Sequence, residues 1–175
     1  MDVLEDKKLE QNKQEESSSF LGRSILTGFI GGIIASLLGI FMYYFNFSEV
    51  SAKSYLIRTW SKAAWTDTWL ADLVSTSLIG ILSIGVAIIY YGILKKIYSI
   101  WMGVVYGLVI WGIVFFILQP MFPNIPSVAE MEMKTIVSTM CLYILYGTFI
   151  GYSISFDYHD TVLKTSKEKA KDSSE

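Results

Sequence analysis

LVSTSLIGILSIGVAIIYYGIL, residues 73–94, contains no charged side chain. It is longer than the ~20 residues an α-helix needs to cross about 30 Å of hydrocarbon. Three further stretches share the property: 24–48, 97–129 and 135–156. A charge at the centre of a bilayer costs roughly 2.5–3.5 kcal/mol on insertion scales, so a chain of 175 residues with four such runs is built for lipid. The runs are continuously apolar, without the alternation of a lipid-facing barrel strand. The expected fold class is all-α: a polytopic membrane protein, a four-transmembrane-helix bundle with an interfacial amphipathic helix between spans one and two. The spans are placed at about 21–45, 70–94, 99–119 and 135–156.

Outward from the spans, the chain divides into one membrane domain, 20–160, and two polar tails. Residues 1–19 carry Asp2, Glu5, Asp6, Glu10, Glu15 and Glu16 and are expected to be a disordered acidic tail. Residues 161–175 form a charged C-terminal tail. The acidic start and the length of the first apolar run argue against a cleaved signal peptide. Lys and Arg then set orientation. Ten of the 14 fall on the side of the termini: Lys7, Lys8, Lys13, Arg23, Lys95, Lys96, Lys164, Lys167, Lys169 and Lys171. Lys53, Arg58, Lys62 and Lys134 fall on the other. Both termini are therefore expected in the cytoplasm of a cell-membrane, multi-pass protein. The short turn at Lys95–Lys96 makes spans two and three an expected pair of neighbours.

The two outer loops read differently. Residues 51–65 have helical periodicity, with Ala52, Leu56, Trp60 and Ala63 on one face, as in a helix lying at the interface. Trp60, Trp65 and Trp69 suit an aromatic belt, and Asp67 or Thr68 is positioned to cap span two. The second loop holds all 3 prolines, Pro120, Pro123 and Pro126, which end span three. Ser127 and Glu130 have the spacing of a capping box for helix four.

Small residues recur at four-residue spacing. Span one has Ser24, Gly28, Gly32 and Ser36, with Gly31, Ala35 and Gly39 as a second row. Span three has Gly103 and Gly107, and span four has Gly147, Gly151 and Ser155. Lipid supplies no hydrophobic drive between helices, so association relies on close backbone approach. Packing within the chain is the first reading of these rows, and self-association through the span-one face is the second. Tyr43, Tyr44, Tyr90, Tyr91 and Tyr152 suit the interfaces. Tyr143 and Tyr146 lie deeper and need hydrogen-bond partners, with Ser75, Thr76, Ser77, Ser138 and Thr139 as candidates.

Residues that carry chemistry are few. No acid, base or histidine lies near the middle of any span, where proton-coupled transporters and pumps place ionisable groups. His159 stands beside Asp157 and Asp160 at the end of span four, too few ligands for a metal site. Cys141, the single cysteine, reads as a small core hydrophobe. Asp72 reads as an interface anchor for Lys53, Arg58, Lys62 or Lys134. No catalytic residue, cofactor or metal is expected, and a net charge of −2 offers no field for nucleic acid.

Several segments resemble the YqhR family of small membrane proteins of Bacillus-type Firmicutes. They are Trp101-Met-Gly-Val-Val-Tyr-Gly-Leu108, Val114-Phe-Phe-Ile-Leu-Gln-Pro-Met-Phe-Pro123 and Leu145-Tyr-Gly-Thr-Phe-Ile-Gly-Tyr-Ser-Ile-Ser155. Phe20-Leu-Gly22 and Thr27-Gly-Phe-Ile-Gly-Gly32 are similar too. The resemblance implies the plasma membrane of a Gram-positive bacterium and brings no catalytic residue with it. The function expected is non-enzymatic: an accessory or regulatory subunit whose partners are the lipid bilayer and either another membrane protein or a homo-oligomer. The alternative is an oligomeric channel or carrier for a small neutral or apolar solute, with Ser75, Thr76, Ser138, Thr139 and Gln119 facing one cavity. The orientation predicts that a cysteine placed in the 46–68 loop reacts with an impermeant thiol reagent in intact cells, while one at Ser173 does not. Reversed labelling would overturn it.

Overall fold

The computed structural model describes residues 2–57, 66, 68–94, 97, 99–122 and 125–172, with side chains within 21–161. The helices are α1 (Asp2–Tyr44), α2 (Ala52–Leu56), α3 (Trp69–Leu94), α4 (Ile100–Gly112) and α5 (Met133–Asp172). Four segments are long and apolar enough to cross a membrane: Leu21–Tyr44, Trp69–Leu94, Ile100–Met121 and Met133–Thr161. They match the expected spans to within a few residues at each end. Arg23 Nη1 lies 3.5 Å from Asp157 Oδ1, joining the start of span one to the end of span four. The bundle thus has a termini end and, opposite it, a loop end.

The first and last helices run on beyond the membrane spans, back to Asp2 and forward to Asp172. Neither extension contains proline or glycine; the first is rich in Glu and Lys and the last in Lys, good helix formers. This differs from the disorder expected of the tails.

At the loop end α1 stops in a Schellman arrangement. Asn46 takes φ 60°, its N–H donates to Tyr43 O at 3.1 Å, and Phe47 N–H donates to Met42 O at 2.8 Å. Asparagine tolerates this left-handed conformation better than other residues with a Cβ. The turn sends the chain back over the bundle into α2, which packs against α3. Of the expected 51–65 helix the structure shows Ala52–Leu56. Trp60 and Trp65, like Asp67 and the Lys95–Lys96 turn, lie outside the described residues.

Span three is not uniformly α-helical. After Gly112 it widens into a π-helical segment, Ile113–Leu118, then tightens into a 3-10 turn, Gln119–Met121. Pro120 has no N–H to offer the preceding turn, so the regular ladder cannot continue through it. Ser127 and Glu130 form half of the capping box, Ser127 N–H donating to Glu130 Oε2 at 3.1 Å. That contact closes an isolated turn, and α5 starts later, at Met133.

The small-residue rows lie between helices. A Cβ on Gly28 would stand 2.6 Å from Ala87 Cβ, and one on Gly32 2.5 Å from Ser83 Cβ, so this row is covered by α3. Gly31 faces Ile150 and Phe149 on α5, and Gly39 faces Leu142. A Cβ on Gly103 would stand 2.8 Å from Thr148 Cα, and one on Gly151 2.8 Å from Gly103 Cα. Gly107 and Gly147 lie closer still, a Cβ on Gly107 driving into Tyr143 O. Ser24, Ser36 and Ser155 are buried. The span-one rows therefore face α3 and α5 within the chain.

The pairing differs from expectation in one respect. α1 packs on α3 and α5, and α4 packs on α5, but α3 and α4 make no comparable backbone approach. They meet through long side chains: Tyr106 hydroxyl donates to Val86 O at 2.7 Å, and its ring stands edge-on to Tyr90 at 4.9 Å. Glycines decide this, because they let α1 reach α3 and α4 reach α5, whereas no glycine row lies between spans two and three. Tyr90, expected at an interface, is fully buried. Cys141, expected in the core, lies exposed on α5.

Gly107→Ala and Gly32→Leu should each lower the unfolding free energy by about 1–3 kcal/mol or more, since the clash is with backbone or a packed side chain. Gly85→Ala meets nothing within 4 Å and should be neutral or stabilising by up to ~1 kcal/mol. SDS-titration unfolding followed by circular dichroism separates the two classes.

Candidate functional site

The chemistry of the described residues gathers at the loop end. Lys53, on α2, and Asp72, in the first turn of α3, form an ion pair at 3.3 Å, with side chains only 5% and 12% exposed. Tyr44 hydroxyl donates to the same Asp72 Oδ2 at 3.1 Å. The Lys53 ammonium also stands over the rings of Tyr43 and Tyr44, at 5.6 and 5.7 Å from their centroids. A buried charge is tolerable only when paired and hydrogen-bonded, and cation–π attraction supplies part of what Lys53 has lost from water. Asp72 Oδ1 and the hydroxyls of Ser51 and Ser75 are buried with no partner among the described residues. The negative charge of Asp72 also suits a helix N-terminus. The arrangement ties α2 and the end of α1 onto α3.

A second tie closes the other side of the loop end. Glu49 N–H donates to Thr135 Oγ1 at 3.1 Å. Val50, Trp111, Phe115, Ile125 and Met131 form an apolar cluster below it. Trp111 Nε1–H donates to Thr139 Oγ1 at 3.1 Å, and Thr139 donates to Thr135 O at 2.7 Å. At the rim Lys134 stands 2.7 Å from Glu132 and donates to it, which holds the exposed Glu132 carboxyl below the usual glutamate range.

Between the two ties lies a cavity of about 220 Å³. Ala35, Ser36 and Gly39 of α1, Ile79 and Leu82 of α3, Val114, Phe115 and Leu118 of the π-helical segment, and Thr139, Leu142, Tyr143 and Tyr146 of α5 line it. Val50, Ser51, Ala52 and Leu56 roof it, and Phe122 closes its edge. Three of its hydroxyls are already engaged. Ser36 Oγ is 3.0 Å from Thr76 Oγ1, and Thr139 is bonded as above. Ser83 donates to Gly28 O at 2.6 Å, so the short bond between Ser83 and Tyr146 has Tyr146 as donor.

The groups expected to form one polar path do not converge. Of Ser75, Thr76, Ser138, Thr139 and Gln119, only Thr139 lines the cavity. Thr76 donates to Asp72 O at 2.8 Å, and Gln119 donates to Ile125 O at 3.0 Å. Tyr146 takes Ser83, a partner absent from the expected set. Asp157 is drawn to Arg23, and no group of three His, Cys, Asp or Glu able to hold a metal occurs among the described residues. Asp72 was legible as an anchor, with Lys53 among its four candidate partners. The tyrosine cage, the Trp111–Thr139 bond and the cavity had no linear signature, except that Pro120 marks where span three must loosen.

A family model described as "Conserved membrane protein YqhR" matches residues 4–170. A protein of Bacillus subtilis (strain 168) bearing the name "Uncharacterized protein YqhR" is 41% identical over 163 residues, covering 90% of this chain and 91% of that one. No solved structure matches.

Asp72→Leu and Lys53→Met should each cost on the order of 3 kcal/mol, since each strands a buried partner, while the two together should recover most of the loss. A double-mutant cycle measured by SDS-titration unfolding checks this. Strictly additive effects would show that the pair does not hold the cap.

Proposed function

The chain belongs to the YqhR family, and we propose that it is a non-enzymatic accessory or regulatory subunit of the plasma membrane, with both termini cytoplasmic, acting by helix–helix association. One observation carries the proposal: most of the described polar groups within its spans, Ser75 excepted, are spent on its own bundle. Tyr146 donates to Ser83, which donates to Gly28 O. Tyr90 binds Ser155, which binds Ile97 O, both at 3.3 Å. Ser36 binds Thr76, and Trp111 binds Thr139. Groups committed in this way hold a shape and are not free to move a proton or a nucleophile. What the bundle offers outward is an apolar lateral surface, including Leu37, Phe41, Leu73, Ile81, Ile89, Val137 and Leu145.

The cavity favours a second reading, a channel or carrier for a small neutral or apolar solute, which would need several copies because four helices of this size nearly fill their own core.

Extraction of a C-terminally tagged copy in native-lipid nanodiscs, followed by mass measurement and identification of companions, separates the two. The subunit reading expects a stoichiometric second membrane protein. A homo-oligomer alone would move the assignment to the channel or carrier, to be followed by solute-flux assays.

A further inference from the structure

The bundle is closed by glycine on three sides and open on the fourth. α1 is drawn onto α3 by Gly28 and Gly32, α4 onto α5 by Gly103, Gly107, Gly147 and Gly151, and α1 onto α5 by Gly31. Between α3 and α4, Tyr106 bridges the half nearer the termini. In the half nearer the loops the cavity takes the place of such a bridge, with Ile79 and Leu82 on one side and Val114 and Leu118 on the other. Leu82 is 59% exposed, so the gap opens sideways, at the depth of the spans, toward hydrocarbon. The wider turn of the π-helical segment forms its α4 wall.

We propose that this cavity binds the hydrocarbon tail of a membrane lipid, which enters between α3 and α4 and ends beneath Val50 and Ala52. Size fits: 220 Å³ exceeds the about 150 Å³ of an engineered apolar cavity that takes up benzene, and corresponds to on the order of eight to ten carbons. Chemistry fits as well. The lining is mostly Ala, Val, Leu, Ile and Phe, and the hydroxyls of Ser36, Thr139 and Tyr146 are engaged elsewhere. An apolar void holds water poorly, and left empty it forfeits the dispersion contacts of its walls. A tail from the surrounding bilayer supplies those contacts, and the lining Ser51 hydroxyl, already buried without a partner among the described residues, is left no worse placed. The proposal stands whether the chain is a subunit or a carrier.

The test uses the full chain in nanodiscs containing phosphatidylglycerol with a diazirine at mid-chain, illuminated, digested and mapped by mass spectrometry. Adducts are expected at Thr139 and Tyr143 as well as at the outward Leu37 and Val137, which are 55% and 52% exposed and serve as the reference for ordinary bilayer contact. Leu82→Trp, placed at the mouth on an exposed position, should lower the Thr139 and Tyr143 adducts at least fivefold and leave those at Leu37 and Val137 unchanged. Adducts confined to outward residues in the wild-type chain overturn the proposal without recourse to any variant. Cavity adducts that persist unchanged in Leu82→Trp, or recovery of a polar small molecule in place of the tail, overturn it too. Presence or absence of a companion protein bears only on the subunit reading.

Discussion

Helices in lipid gain nothing from hiding apolar surface from one another, so they hold together only where backbones come close enough for dispersion and for short polar contacts. The whole bundle depends on that constraint. Gly28 and Gly32 let α1 settle onto Ser83 and Ala87, and the reciprocal set Gly103, Gly107, Gly147 and Gly151 brings α4 against α5. Once the backbones touch, Ser83 can reach the carbonyl of Gly28. The hydrogen bonds follow from the close approach and reinforce it.

The same constraint explains where the molecule is not closed. α3 and α4 share no row of small residues and are held apart by Tyr106 at one end and by the cavity at the other. Pro120 contributes by loosening the helix upstream of it into a wider turn. The loop end then needs a separate fastening, which the buried Lys53–Asp72 pair and its tyrosines provide. An ion pair of this kind gives little net stability relative to apolar residues. Its geometric demands do fix one seating of α2 on α3, which a plain apolar contact would not.

The spans were legible because hydrocarbon excludes charge along the whole of each crossing, a property read residue by residue. Asp72 was legible as an anchor because an acid at the edge of a span needs a cation, but four cations were open to it. Spans two and three were expected to be neighbours because a short turn joins them. Among the described residues they meet through Tyr106, on Val86 O and against the Tyr90 ring, since chain proximity is weaker than a glycine row in choosing a partner helix. Cys141 was expected inside because its neighbours in the chain are apolar, yet in lipid the outside is apolar as well, and hydropathy along α5 does not separate its two faces.

By itself, then, the sequence determined that this chain crosses a membrane four times, roughly where each crossing starts and stops, and which residues are small enough to permit close contact. These are local properties: hydropathy, charge and the absence of a side chain act at each position whatever the rest of the chain does. Only the tertiary structure decided which row meets which helix, which cation Asp72 takes, and that a cavity remains between α3 and α4. Those outcomes depend on fitting all the surfaces together at once. The last depends on a contact that no residue supplies, and such a gap leaves no mark in the linear chain.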